Sequence, residues 1–251
     1  MNFKLKAAAA AVAFALSGAA QAAPIGQQGL FFTAWNGSID APSSIVINLG
    51  LSTPDFRADP LAPRALGGDG LDALNAWLGG LGDTASSVVW SVIGRSNGDG
   101  ASSPPSPLYG GLATSTNIET QFPSWGLFGG LDQFPLNVQN FLDTVNPSLA
   151  SGNAFAAANR FQEFFVNKDG GPDIESRGGI NQSLAFYAFF GDQDGNEFFE
   201  GDFSKFNGTW TLNFAPGTGA SLSYAPVPLP GAVWLLGSAL AGFAATQRRR
   251  A

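Results

Sequence analysis

The sequence predicts an α+β fold, mainly antiparallel β and sandwich-like, with helices inserted mid-chain. Three observations carry that expectation. Segments near both ends of the central region alternate apolar and polar residues with a period of two, as half-buried strands do. Segments between them repeat apolar residues at i, i+3, i+4 and i+7, the spacing of one helix face. The chain has no Cys, so a stable body must come from buried area, and 22 Phe with 6 Trp supply large rings for it.

Taken in order, residues 30–35 and 44–49 read as a strand pair, the second placing Ile45, Ile47 and Leu49 on one face. Residues 71–78 have the spacing of a short helix. Val88, Trp90 and Val92 mark a further strand. The stretch 97–111, NGDGASSPPSPLYGG, is too polar and proline-rich for a core element and predicts an exposed loop. Val138, Phe141, Leu142 and Val145 predict a helix with Pro135 near its start and Asn146 and Pro147 stopping it. Phe155, Ala158, Phe161 and Phe165 predict another, with Asn153 as its N-cap. Residues 184–190 are apolar throughout and suit a strand covered on both faces. Trp210, Leu212 and Phe214, then Ala220, Leu222 and Tyr224, flank Pro216, Gly217, Thr218 and Gly219 and predict a terminal hairpin.

The two ends of the chain differ from this body. The first reads MNFKLKAAAAAVAFALSGAAQAAP: Lys4 and Lys6, an apolar run over 5–16, then small residues. That is the layout of a secretory signal peptide. Ala20 and Ala22 occupy the A-x-A positions, and Pro24 disfavours cutting after Ala23, so residues 1–22 are expected to be removed by signal peptidase after Sec export. The other end reads VPLPGAVWLLGSALAGFAATQRRRA. Its apolar run, 231–246, would form a transmembrane helix about 24 Å long, slightly short of an oily bilayer core of about 30 Å. Arginine stems reach back toward headgroups, so Arg248, Arg249 and Arg250 act as a stop-transfer cluster on the cytoplasmic side. The body is then expected outside the inner membrane, giving three parts: 1–22, an exported domain 23–225, and a tail 226–251.

Val227, Pro228, Leu229 and Pro230, followed by an apolar helix with Trp234 near its start and a terminal arginine cluster, resemble the VPLPA variant of the PEP-CTERM sorting signal. The resemblance covers about 25 residues and departs from the family pattern in having Gly231, not alanine, after the second proline. It implies a Gram-negative bacterium producing extracellular polysaccharide, with an exosortase-type membrane protease recognising the proline motif and removing the tail. The mature domain would stand at the cell surface or in the biofilm matrix. Prolines hold 227–230 extended and non-helical, which suits presentation to a protease at the membrane face. The alternative is an unprocessed membrane anchor, which needs no such segment.

Charge and composition narrow the chemistry. Five of the 12 basic residues lie in the two ends, leaving seven against all 19 acids and a net charge of −12 for the exported part. Nucleic acid and anionic lipid are poor partners for such a surface. With neither His nor Cys, imidazole bases, thiolate nucleophiles and ordinary zinc sites are excluded. Acids concentrate over 163–202, where Asp192, Asp194 and Asn196 have the alternate spacing of a Ca²⁺ loop. The loop is not an EF-hand, since Glu197 and Phe203 stand where Gly and Glu are required, so no cofactor is expected beyond Ca²⁺ at that point. A solvated acidic turn between strands is the simpler expectation. No G-x-S-x-G or phosphate loop is present. A non-catalytic surface protein that associates with exopolysaccharide is therefore the first expectation. The alternative is a secreted glycosidase working through paired carboxylates.

Overall fold

The computed structural model describes residues 25–26, 28–36, 43–97, 109–116, 130–149, 154–157, 178–191 and 201–227. Among them, ten strands join one mostly antiparallel sheet: β1 (Gly29–Asn36), β2 (Ser44–Ser52), β3 (Arg64–Ala65), β4 (Val88–Asn97), β5 (Tyr109–Ser115), β6 (Ala154–Ala157), β7 (Gly178–Gly179), β8 (Gln182–Gly191), β9 (Gly201–Ala215) and β10 (Gly219–Pro226). Their order is β3-β10-β9-β8-β5-β4-β1-β2-β6, with β7 paired to β4. Three helices accompany them, α1 (Thr53–Ala58), α2 (Gly68–Gly80) and α3 (Gly130–Leu149), and a 3₁₀ turn (Gly82–Ser87) leads into β4. The expected predominance of antiparallel β with a few helices is thus what the chain adopts. Among the described residues the sandwich-like arrangement takes the form of one sheet curved like a half-barrel, with helices packed on it.

Alternation along the strands builds the inner face. Leu30, Phe32 and Ala34 of β1 line it with Ile45 and Ile47 of β2, Trp90 and Val92 of β4, Phe186 and Ala188 of β8, Trp210 of β9 and Leu222 of β10. Into this concavity α1 inserts Phe56, and α2 inserts Leu74, Trp77 and Leu78. Phe56 is fully buried, and its ring meets Phe186 and Phe206 edge-on at 5.0 Å and Tyr224 at 5.1 Å. Edge-to-face pairs add to the area term because a positive ring edge meets a negative ring face. The helix that presents Phe56 is only one and a half turns long. It holds because Ser52 caps it, accepting the Asp55 N–H at 3.1 Å, and Pro54 starts it with a preset φ.

Helix α2 carries Leu74, Trp77 and Leu78 inward and leaves Asp69 and Asp72 in solvent. It packs against β2 and β6 at one end of the sheet order and against β10 at the other. Hydrogen bonds fix both ends. The Trp77 Nε1–H donates to Ser43 Oγ at 2.7 Å just before β2, and Asn75 Oδ1 accepts the Ala220 N–H at the start of β10. A sheet whose two ends meet one helix must curl around it.

The outer face is divided. Phe31, Val46 and Ile93 point outward and are covered by Val138, Phe141, Leu142, Val145 and Leu149 of α3, with Phe31 and Phe141 stacked at 5.5 Å. Asn146 ties the helix to the chain before β1, accepting the Ile25 N–H at 2.9 Å and donating to its carbonyl at 3.1 Å. Beyond α3, the outer face carries rings as well as polar groups: Tyr187 of β8 is buried there, 6.1 Å from Phe203 of β9. Ser183, Thr211 and Ser223 stand in one row across it, with the first two hydroxyls 2.7 Å apart.

Three local expectations are corrected. Residues 154–157 form strand β6 rather than the first turn of a helix, because β2 offers Ser44–Ile47 as an unpaired edge and pairing with it outweighs a weak helical period. Asn97, Tyr109, Gly110 and Gly111 belong to strands, not to a loop: Asn97 faces Tyr109 across a β4–β5 hairpin connected by 98–108. Helix α3 does not stop at Asn146 and Pro147. A proline in the last turn forfeits only the bond to the Asp143 carbonyl, and the helix continues to bury Leu149 completely. The other helix expected on 155–165 lies outside the described residues beyond 157.

Because Phe56 contacts rings from three strands, Phe56→Ala is expected to lower unfolding free energy by about 3–5 kcal/mol. Leu61→Ala, at a site 56% exposed, is expected to stay within about 0.5 kcal/mol. Urea unfolding of the two variants checks this contrast, and equal losses would mean that Phe56 is not central to the core.

Candidate functional site

Of the residues given a sorting, cleavage, stop-transfer or metal role from the sequence, Val227 is the one among the described residues. Pro228, Leu229, Pro230, Arg248, Arg249 and Arg250 lie outside the described residues, as do Ala20, Ala22, Asp192, Asp194 and Asn196. The site that can be built is the junction where β10 leaves the sheet toward the proline motif.

That junction begins with the β9–β10 hairpin. Gly217 and Gly219 take φ of 84° and 85°, a region open to glycine at little cost, and the Thr218 N–H closes the turn on the Ala215 carbonyl at 3.1 Å. The ladder then runs without a break from Gly219 opposite Ala215 to Pro226 opposite Gly208. Period-two alternation sends Leu222 and Tyr224 inward and leaves Ala225 exposed.

Tyr224 holds this end in place. Its ring packs at 5.1 Å from Phe56 and 5.4 Å from Trp210, and its hydroxyl donates to the Pro60 carbonyl at 3.0 Å. The side chain crosses over Gly208 of β9, where a Cβ would overlap the phenol oxygen, so that position accepts no other residue without displacing the ring. On the far side β3 pairs with β10, Ala65 opposite Ser223 and Arg64 opposite Tyr224. Arg64 lays its guanidinium 5.9 Å from the Phe56 ring centroid and donates through Nη2 to the Asp59 carbonyl at 3.2 Å. Burial pushes the Tyr224 phenol from its ordinary 10.0 up to about 12, while the Arg64 charge opposes that rise.

Past Tyr224 the hold relaxes. Pro226 faces Gly208, the Val227 N–H donates to the Asn207 carbonyl at 3.0 Å, and the Val227 side chain is 48% exposed. The first residue of the motif is therefore still tied to the sheet through its backbone while its side chain stands in solvent.

The acidic segment has a definite attachment. Gly191 faces Gly201, so 192–200 connects β8 to β9 as a hairpin. Tyr109 faces Gly191 and Asn97 faces Tyr109, so these ends of β4, β5, β8 and β9 lie side by side. Among the described residues no group of three or more Asp or Glu is placed to hold a metal ion. No helix among them is long and apolar enough to cross a membrane, and the run 231–246 lies outside them. Comparison with protein-family models, curated proteins and solved structures yields no match for this chain.

The latch formed by Tyr224, Pro60 and Arg64 is not marked in the sequence. Its partners lie 164 residues apart, and a two-residue strand has no period to read.

A raised phenol pKa means that the folded chain keeps this proton where the unfolded chain has lost it. Stability from Tyr224 is whole below pH 10 and is lost as pH rises toward about 12. Tyr224→Phe is expected to remove that part of the alkaline loss and to cost about 1 kcal/mol at neutral pH through the missing hydrogen bond. Denaturant midpoints measured from pH 7 to 12 for both proteins check it; parallel curves throughout would refute the assignment.

Proposed function

We propose that this chain is an exported cell-surface or extracellular-matrix protein, non-catalytic, whose body is delivered by two end signals. Signal peptidase cuts after Ala22 during Sec export. The segment 231–246 then lodges in the inner membrane with Arg248, Arg249 and Arg250 on the cytoplasmic side. An exosortase-type protease recognises Val227, Pro228, Leu229 and Pro230 and removes the tail, releasing the domain to the surface or into an exopolysaccharide matrix.

The observation that carries this reading is the position of Val227, exposed at the point where the final strand ends and the proline motif begins. A recognition sequence must leave the body it belongs to, and β10 runs directly into this one. Three further features support the reading. The exported part, at −12, is repelled by anionic lipid and by acidic polymers unless cations screen it, which favours display over tight adsorption. The body holds together through ring packing with no cysteine, so it needs no oxidative folding after export. Its outer Ser/Thr row on β8, β9 and β10 is a hydroxyl surface compatible with a hydrated polysaccharide.

Intact mass of the protein recovered from its native host tests the reading. The expected mass lacks residues 1–22 and the apolar tail, and the doubly substituted Pro228→Ala, Pro230→Ala protein is expected to keep Ala251 and stay in the membrane fraction. Wild-type protein retaining Ala251 would replace processing with a permanent anchor.

A further inference from the structure

The proline motif begins on a residue that the sheet still holds. Pro228 and Pro230 have no N–H, so Val227 and Leu229 supply the two backbone donors of the four-residue motif. Val227 has already committed its donor to the Asn207 carbonyl at 3.0 Å. Proteins that take an extended peptide do so chiefly through its main-chain hydrogen bonds, with alternate side chains in pockets. The motif cannot offer that full set while Val227 is paired to β9.

Reach adds a second obstacle. From Val227 to Pro230 is three residues, at most about 10 Å of extended chain. That is roughly two strand spacings in a sheet, so the edge of the domain stands against whatever grips the motif. No flexible spacer separates the two, because Pro226 is still in register with Gly208.

We propose that the fold gates removal of its own tail: the end of β10 must unpair from β9 over Ala225, Pro226 and Val227 before the motif can be cut. The inference rests on the processing reading given above. Unpairing these three residues costs little apolar burial, since Ala225 and Val227 are exposed and Pro226 is partly so. It stops at Tyr224, whose ring is buried against Phe56 and Trp210 and whose hydroxyl is bonded to Pro60. Local opening of this kind, confined to a strand end, belongs to the low-stability part of a fold. The latch thus lets the motif out by three residues while keeping the body folded. An unfolded body would release the motif faster still, so the latch also determines how strongly processing depends on folding.

The test is a pulse-chase in a Gram-negative host that processes tails of this kind, following loss of the tail from four full-length proteins. They are the wild type, a variant with six Gly/Ser residues inserted between Pro226 and Val227, Tyr224→Phe, and the Pro228→Ala, Pro230→Ala protein. The spacer variant is expected to lose its tail several-fold faster than wild type, up to about tenfold for one or two hydrogen bonds no longer broken. Tyr224→Phe is expected to be accelerated by a smaller factor, with the purified protein still folded. A spacer variant processed no faster than wild type, while the double proline variant stays uncut, overturns the gating inference and leaves the processing reading standing. A double proline variant cut at the wild-type rate overturns the processing reading itself. Hydrogen exchange on the purified wild type gives an independent check: the Val227 amide is expected to be protected less than Tyr224 and more than a free peptide, and free-peptide exchange there would remove the physical basis of the gate.

Discussion

One helix has to satisfy both ends of a curved sheet, and the rest of the molecule is arranged around that requirement. Helix α2 reaches β10 through Asn75 and the start of β2 through Trp77, two residues apart on a segment of 13. Curvature then encloses a concave face that two short helices can fill. An open, flat sheet of this many strands would leave Phe32, Trp90, Phe186 and Trp210 facing water. A curled one buries all four on a single interior. For a chain without cysteine this is the available route to stability, because burial must supply what cross-links give to smaller secreted domains.

The interior that α2 closes also determines how the chain leaves. Phe56 occupies the centre, Tyr224 leans on it from β10, and Arg64 covers it from β3. These contacts come from three distant parts of the sequence and meet at Tyr224, three residues before the exit at Val227. The strand is therefore firm up to Tyr224 and weakly held for three residues beyond. On the proposed reading, a sorting tail joined at that point would inherit the mechanics of the sheet edge. Delivery and folding, which occupy separate segments of the sequence, would then meet in the pairing of Val227 with Asn207.

Much of the sheet was legible because alternation is a local property. The β9–β10 hairpin, the β1–β2 pair, the strand at Val88 and helix α2 all follow from side-chain period and turn chemistry within a few residues. Strand β8 was legible as well: Phe186, Tyr187 and Ala188 are each buried, so the strand is covered on both faces as its unbroken apolar run requires. What the sequence left hidden was decided at long range. Helix α1 buries Thr53 and Phe56, too few residues to show a period. Strand β5 is mostly small residues, Gly110, Gly111 and Ala113 among them, and becomes a strand because β4 and β8 supply partners on both sides. Strand β6 carries a helical spacing that the edge of β2 overrides. At the candidate site the proline motif was plain from composition. The latch behind it was not, since nothing near Pro60 announces a carbonyl waiting for a tyrosine 164 positions later.

The clasp of α2 on both ends of the sheet is open to direct observation by proton NMR of the purified, isotopically labelled protein. Nuclear Overhauser contacts are expected from the Trp77 indole N–H to Ser43 and, in the same sample, from the Asn75 side chain to the Ala220 amide. Finding one set without the other would mean that the helix lies on one end alone and that the sheet stays open, and the account of the core and of the chain exit would fail with it.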